Sequence, residues 1–447
     1  MIITTIILFL IILGFIVFFH ELGHFFMAKL YGVKVDEFGI GFPPKIFGFK
    51  KGETEYTLNW IPLGGFCKIV GEDGEDKDNP RSFGSKSIFQ RFQIISAGVL
   101  MNFFMAFVIF SFIFMAGSPM NIDNEDLSSA KSVGQVEVRI TNVIKNTPAE
   151  ISELKLGDTI VSVDDKKIYN IKDLQDAINE KSGEKIVIDI LRGKERVTKE
   201  IIPSMDFSVM INAVSEDSPA SIAGLKTGDK ILSVDDKKIY NIKDLQDAIN
   251  EKKGEKIVFS IIRENENLIK KIIPRKEEVK NEGALGVNLS EGISLAETAI
   301  VKFTIFEAIK RGYELTVLFT IFIITAFGGI IQSLLTTGKT AVEVSGPIGI
   351  ASMTSQAASL GIIAVLNFTA LISINLAIIN ALPFPALDGG RLIFLIVEKI
   401  KGSPINQAWE AKVNNMGFML LMLLMVVVTF KDVAKLDIWG RITALFG

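Results

Sequence analysis

The chain has 447 residues, 49% of them hydrophobic and 22% charged, with a mean hydropathy of +0.38. That balance excludes a disordered chain and an ordinary soluble protein, and the charge excludes a protein made only of membrane spans. The net charge of −3 provides no basic field, so no nucleic acid is expected as a partner. Cys67 is the only cysteine, which excludes an internal disulfide framework and a cysteine-based structural zinc site. The chain holds two histidines, His20 and His24.

Residues 1–19 carry no charge and are long enough, as a helix, to cross a hydrocarbon core. No Lys or Arg precedes this run and no small-residue cleavage site follows, so a retained span is expected rather than a signal peptide. Residues 31–91 are glycine-rich and basic, with EYTLNWIPLGGFCKIVG reading as strands broken at Gly64-Gly65. Phe92 to Ala116 is a second uncharged span. Residues 117–300 change character and contain a repeat. VSVDDKKIYNIKDLQDAINEKSGEKIV starts at Val161 and returns as LSVDDKKIYNIKDLQDAINEKKGEKIV from Leu232, 71 residues later. Two copies are too few for a solenoid, so tandem α+β domains are expected. Glu153 in the first copy stands where Gly224 stands in the second, a glycine that suits a positive φ. The last third is apolar again over Tyr313–Leu335, Gly361–Leu382 and Met416–Phe430.

His20-Glu21-Leu22-Gly23-His24 reads HExxH. Four residues advance about 400° along a helix, so both imidazoles share one face, a spacing suited to two ligands of a tetrahedral zinc. Glu21 then stands beside the metal as general base. The bland alternative is a pair of histidines satisfied at a helix end. Against it, both histidines of the chain fall in the motif, at the end of an uncharged span where ionisable groups are costly. A catalytic zinc usually takes a third protein ligand. With no other histidine and one thiol, a carboxylate is expected, and Asp388 in LPFPALDGGR is the best candidate. A helix N-cap on Gly389–Val397 is the structural alternative for Asp388.

FHELGH, NALPFPALDGGR and VSGPIGIA (Val344–Ala351) together resemble the site-2 protease family of intramembrane zinc metalloproteases. The resemblance spans nearly the whole chain and is strongest to the bacterial RseP-like group, which carries two tandem PDZ domains between its second and third spans. It implies zinc bound by His20, His24 and Asp388, with Glu21 as base. It also implies Asn380, Pro383 and Pro385 lining the substrate site, and a membrane-associated β-element at Gly64 and Gly65 that pairs with an unwound substrate. Val99 in AGVLMN stands where many relatives have proline, and the two PDZ copies are unusually alike.

Lys29, Lys34, Lys45, Lys50 and Lys51 follow the first span, which places that end in the cytoplasm and the repeats outside. Asp388 must then arrive on the cytoplasmic side, so Tyr313–Leu335 is expected to lie on the membrane or to enter and return, bending at Gly328-Gly329. The expected fold is an α-helical membrane protein of about four transmembrane helices with a membrane-associated β-element and two tandem α+β PDZ-like domains. Its segments are a first transmembrane helix (1–30), a cytoplasmic-side or re-entrant β-region (31–91) and a second transmembrane helix (92–118). PDZ-like domains follow at 134–205 and 206–277, then an extracytoplasmic and membrane-associated segment at 278–359. A third helix with the LDG motif (360–400), a fourth (413–431) and a tail (432–447) complete the chain.

The expected function is zinc-dependent endopeptidase cleavage of transmembrane segments in the bacterial inner membrane. The resemblance implies an anti-sigma factor or remnant signal peptides as substrates. The repeats would meet peptide segments or act as a filter, and the bilayer is a partner throughout. One rival is a membrane-anchored PDZ scaffold with a non-catalytic metal site, but a structural zinc wants four closed ligands and the sequence offers three. The other is an ion or metal transporter, which calls for paired intramembrane acids or repeated spans; neither is seen.

Overall fold

The computed structural model describes residues 2–435 apart from 73–77, 123–126, 144–147, 182–183, 194, 203–208, 216, 240–241, 264–265, 278–282, 292, 338–345 and 404. The expected border between the repeats (205/206), Val344 and Ser345 of the VSGPIGIA motif, and most of the 432–447 tail lie outside the described residues. Two compact units result: Met1–Ser118 with Ser129–Lys131 and Lys302–Gly447, and Pro119–Ser128 with Ser132–Val301.

The first unit begins with α1 (Ile2–Leu30), which carries HExxH in its second half. Strands β1 (Val35–Lys51) and β2 (Thr54–Ile69) follow; they form an antiparallel hairpin from Lys45↔Asn59 to Lys51↔Thr54, and both fold over so that Glu37–Ile40 lies between Gly65–Lys68 on one side and Glu55–Leu58 on the other. Phe42, Phe47, Phe49 and Trp60 of this hairpin are exposed. An apolar display of this kind suits contact with lipid or an unwound apolar chain. Phe47 and Phe49 also line an apolar cavity of about 300 Å³ together with Phe38 of the hairpin and Phe18, Leu22 and Phe25 of α1. Helix α2 (Ile88–Ala116) opens with a capping box, Ser87 and Gln90 each bonding the other's backbone N–H.

The second unit carries the repeats. Short strands β3 (Ser118–Asn121) and β4 (Ala130–Val133) precede β5 (Glu137–Val143), α3 (Pro148–Ile151), β6 (Thr159–Val163), β7 (Lys166–Lys167), α4 (Ile171–Glu180), β8 (Ile186–Arg192) and β9 (Glu195–Ile201). The second copy runs β10 (Val209–Val214), α5 (Pro219–Ile222), β11 (Lys230–Val234), β12 (Lys237–Lys238), α6 (Ile242–Asn250), β13 (Ile257–Arg263) and β14 (Glu266–Ile272). Buried core positions recur at the repeat spacing: Val138 as Val209, Ile160 as Ile231, Leu174 as Leu245, Ile186 as Ile257. Each such side chain, fully buried, contributes roughly 2 kcal/mol, so the repeated residues fix the fold of both copies.

The α+β character expected of both copies is present. Neither sheet is complete within its own copy, however. Strand β15 (Val287–Glu291) pairs with β10, and β16 (Ile293–Phe303) pairs with β5. The first copy is therefore completed by a strand that follows the second. Glu153 and Gly224 both have positive φ, +59° and +73°. The glycine expectation thus holds, and Glu153 adopts the same conformation with a side chain.

Helix α7 (Ile305–Thr337) returns the chain to the first unit. It is followed by α8 (Pro347–Ser359), α9 (Ile362–Ala381), α10 (Asp388–Lys401) and α11 (Gln407–Lys435). Among the described residues, five helices are long and apolar enough to cross a membrane: α1, α2, α7, α9 and α11. About four spans are expected from the sequence, and α7 is a fifth helix that qualifies by length and composition. It runs unbroken through Gly328-Gly329, so the expected reversal there does not occur.

Phe303 meets Phe114, Gly312 lies against Ser111, and Phe319 stacks on Phe110, so α7 descends antiparallel to α2 from that helix's C-terminal end. Helix α9 is also antiparallel to α2, with Ser373 at Asn102 and Asn380 near His20. Two helices pointing the same way, joined by residues 338–361, deliver Asp388 to the histidines.

Candidate metal centre

His20 and His24 point from one face of α1 into the seam between α1, α2 and the start of α10. His20 Nε2 and His24 Nε2 are 3.3 Å apart. Asp388 Oδ2 lies 3.1 Å from the first and 3.4 Å from the second. His20, His24 and Asp388 form the candidate metal cluster among the described residues. Ligands about 2.0–2.1 Å from a tetrahedral zinc stand about 3.3 Å from one another, and all three separations match. The donor set fits zinc on chemistry as well, with two imidazoles and one carboxylate, the three protein ligands that a catalytic zinc takes.

Local sequence explains how the three groups meet. Gly23 faces the backbone of Ala97, where a Cβ would sit 2.3 Å from the carbonyl oxygen, and Gly98 faces the histidines themselves. These two glycines let α1 and α2 approach closely enough for His20 and His24 to lie between them. The LPFPALDGGR turn makes its own tight contacts: a Cβ on Gly389 would strike Leu382 O at 2.2 Å, and one on Gly390 would strike Phe384 O at 2.3 Å. The turn is thereby folded back on itself, and Asp388 opens α10. Leu387 is the N-cap and makes no side-chain bond, so the capping role considered for Asp388 is not the one it fills.

Several expected site residues gather here. Asn380 Nδ2 lies 3.5 Å from His20 Nε2. Gly64 has φ +103°, and a Cβ on Gly65 would lie 3.5 Å from Glu21 Cγ and 3.4 Å from Val17. The Gly64-Gly65 strand thus passes beside Glu21, which is half-buried. The two prolines precede Asp388 in the LPFPALDGGR turn. Pro385 packs against Gly417 of α11, and Pro383 is exposed. Cys67 is buried in the hairpin, and burial pushes its thiol pKa up, away from the thiolate that a metal would need.

Sequence reasoning missed two residues of α2, Gly98 and Asn102. They are four apart in AGVLMN and share the helix face turned to the histidines. The i, i+4 spacing was a readable signal, but nothing in one sequence tells which face of α2 meets α1.

Residues 8–424 match the family model described as Peptidase family M50. The chain belongs to Peptidase family M50. It is 33% identical over 450 residues to the regulator of sigma-W protease RasP of Bacillus subtilis, covering 98% of this chain and all of that one. The zinc metalloprotease RasP of Bacillus licheniformis is 30% identical over 461 residues, covering 97% of this chain and 99% of the relative. That of Geobacillus kaustophilus is 30% identical over 453 residues, covering 96% and 98%. Among solved structures, the PDZ domain of the SdrC-like protein of Listeria monocytogenes is 24% identical. It covers 18% of this chain and 86% of that one, with a TM-score of 0.17. The chain is thus an intramembrane zinc metalloprotease of the M50 family, as the site-2 protease resemblance implied, and a multi-pass membrane protein by its apolar helices.

Proposed function

We propose that this protease cuts membrane-spanning segments of other proteins, with His20, His24 and Asp388 as the zinc ligands and Glu21 as the general base. The observation that carries the reading is the convergence of His20 Nε2, His24 Nε2 and Asp388 Oδ2 within 3.1–3.4 Å, among long apolar helices. A bound zinc would activate water and polarise the scissile carbonyl at this point. Glu21 takes a proton from the attacking water and passes it to the leaving amide nitrogen. Its place beside the Gly64-Gly65 strand puts the base next to where an extended substrate can lie.

A substrate helix hides its own carbonyls and must be locally opened before attack. Strand β2 offers backbone donors and acceptors for the opened segment, and Asn380 offers an amide. Pro383 and Pro385 serve the substrate site through the shape of their turn. Substrates of the anti-sigma type fit the sigma-W regulation named for the Bacillus subtilis relative, and remnant signal peptides present the same chemistry, a short apolar helix. The lysines after α1 favour a metal site toward the cytoplasmic side of the bacterial inner membrane, with the PDZ-like repeats extracytoplasmic. There the repeats would receive peptide segments or sort substrates by size.

The test uses the full-length protein in detergent or proteoliposomes with a transmembrane substrate. Glu21→Gln should keep one zinc and lose cleavage, while Asp388→Ala should lose both. Normal turnover by Glu21→Gln would end the assignment of the base. Tight zinc in Asp388→Ala would remove that residue from the site.

A further inference from the structure

Helix α2 faces the second ring nitrogen of each histidine. His24 Nδ1 lies 2.9 Å from the carbonyl oxygen of Ile94. A carbonyl only accepts, so Nδ1 donates and the lone pair of Nε2 stays free on the side of Asp388. His20 Nδ1 meets the carboxamide of Asn102 at 3.2 Å. Asn102 is fully buried, and its Oδ1 has no hydrogen-bond partner when Nδ2 is the atom facing the ring.

The two orientations of that amide impose different states on His20. With Nδ2 toward the ring, Nδ1 must accept, the proton sits on Nε2, and Nε2 drops out of the donor set. With Oδ1 toward the ring, Nδ1 donates and Nε2 is free to ligate, as in His24. The two ends of a carboxamide are told apart only by such network arguments.

We propose that Asn102 is a positioning residue of the metal site: its Oδ1 accepts from His20 Nδ1–H and fixes the tautomer in which Nε2 binds zinc. The partners that hold a ligating imidazole's other N–H set ring orientation and ligand basicity. The task falls to the side chain alone. The main-chain carbonyl of Asn102 is separately engaged by Ser373 Oγ at 2.9 Å, a contact that fastens α9 to α2 whatever side chain stands at 102. Gly98, one turn earlier, leaves the space in which both rings sit.

The inference rests on the His20, His24, Asp388 reading, and the experiment separates the two. Full-length Asn102→Asp, Asn102→Leu, Asn102→Ala and Asp388→Ala are compared with wild type for zinc affinity by chelator competition. The visible absorption of the cobalt-substituted protein and the melting temperature of the zinc-free protein are recorded beside it. Asn102→Asp keeps an acceptor of nearly the same shape and should hold zinc and the cobalt spectrum close to wild type. Asn102→Leu preserves volume and Asn102→Ala removes it. Both lack the acceptor and should bind zinc roughly 10–100-fold more weakly, with an altered cobalt band and a zinc-free melting temperature near that of wild type. Wild-type zinc affinity in Asn102→Leu and Asn102→Ala, or loss of zinc by Asn102→Asp, overturns the role of Asn102. Tight zinc in Asp388→Ala overturns the metal site itself.

Discussion

Gly98 and His24 stand so close that no side chain fits between them: a Cβ on Gly98 would lie 2.3 Å from His24 Nε2 and 2.8 Å from His20 Cε1. Gly98→Ala should therefore push both rings off their positions while adding one methyl group to an otherwise unchanged helix. The expected outcome is loss of most zinc and of cleavage, with α-helical content and detergent-extracted yield preserved. Circular dichroism beside zinc analysis checks it. Full zinc occupancy in Gly98→Ala would show that the α1–α2 seam yields more readily than its backbone contacts indicate.

Arg91 and Glu398 tie the start of α2 to α10, the helix that Asp388 opens. The guanidinium binds both carboxylate oxygens, at 3.0 and 2.6 Å, and each side chain is 14% exposed. Breaking a pair this far from water costs more than a surface ion pair and less than a fully buried one, so Arg91→Ala should lose about 2 kcal/mol. Arg91→Met with Glu398→Leu leaves no uncompensated charge and should recover part of that loss. Thermal unfolding of the single and double variants measures the coupling.

Glu53, at the hairpin turn, accepts from Lys29 Nζ at 2.7 Å and from an Arg81 guanidinium nitrogen at 2.6 Å. Hydrogen bonds from these two cations pull its carboxyl down to about 2. A folded-state pKa below the unfolded one stabilises the fold above the unfolded value, roughly 4.3, and that contribution is lost as pH falls through about 2. Acid should therefore weaken the hold of the hairpin on α1, and Glu53→Gln should lower the melting temperature near neutral pH. The difference between the two proteins should shrink across the window from pH 4 to 2. A constant difference at all pH values would assign the effect to packing.

The repeats should be removable only as a whole. Strands β15 and β16 complete the two sheets from residues 287–303, so a deletion ending near residue 277 leaves β15 without β10 and strips β5 from β16, which keeps only the short strands β3 and β4. Replacing 132–301 by a short flexible linker keeps the first unit intact. On the filter reading, this protein should retain zinc, cleave a pre-trimmed transmembrane substrate, and newly accept substrates with a bulky folded extracytoplasmic domain. Slower cleavage of the trimmed substrate with no gain of bulky ones would mark the repeats as peptide receptors. Loss of all cleavage in a folded, zinc-loaded deletion would sink the filter idea.

Much of this protein follows from short-range sequence. HExxH brings His20 and His24 together because four residues on a helix share a face, and the repeat fixes two like domains because the same core positions recur at one spacing. Long uncharged runs fix the helices because charge and unpaired backbone are costly in lipid. Asp388 was reachable by elimination, since the chain has no third histidine. The rest depends on which surfaces meet, and one sequence carries no record of that. The tertiary structure alone turned Gly98 and Asn102 of α2 toward the histidines and seated Pro385 against Gly417 of α11. It sent α7 unbroken past Gly328-Gly329, and it closed the first repeat with a strand that comes after the second. In each case the deciding contact joins residues far apart in the chain, where packing and close backbone approach override what local pattern can specify.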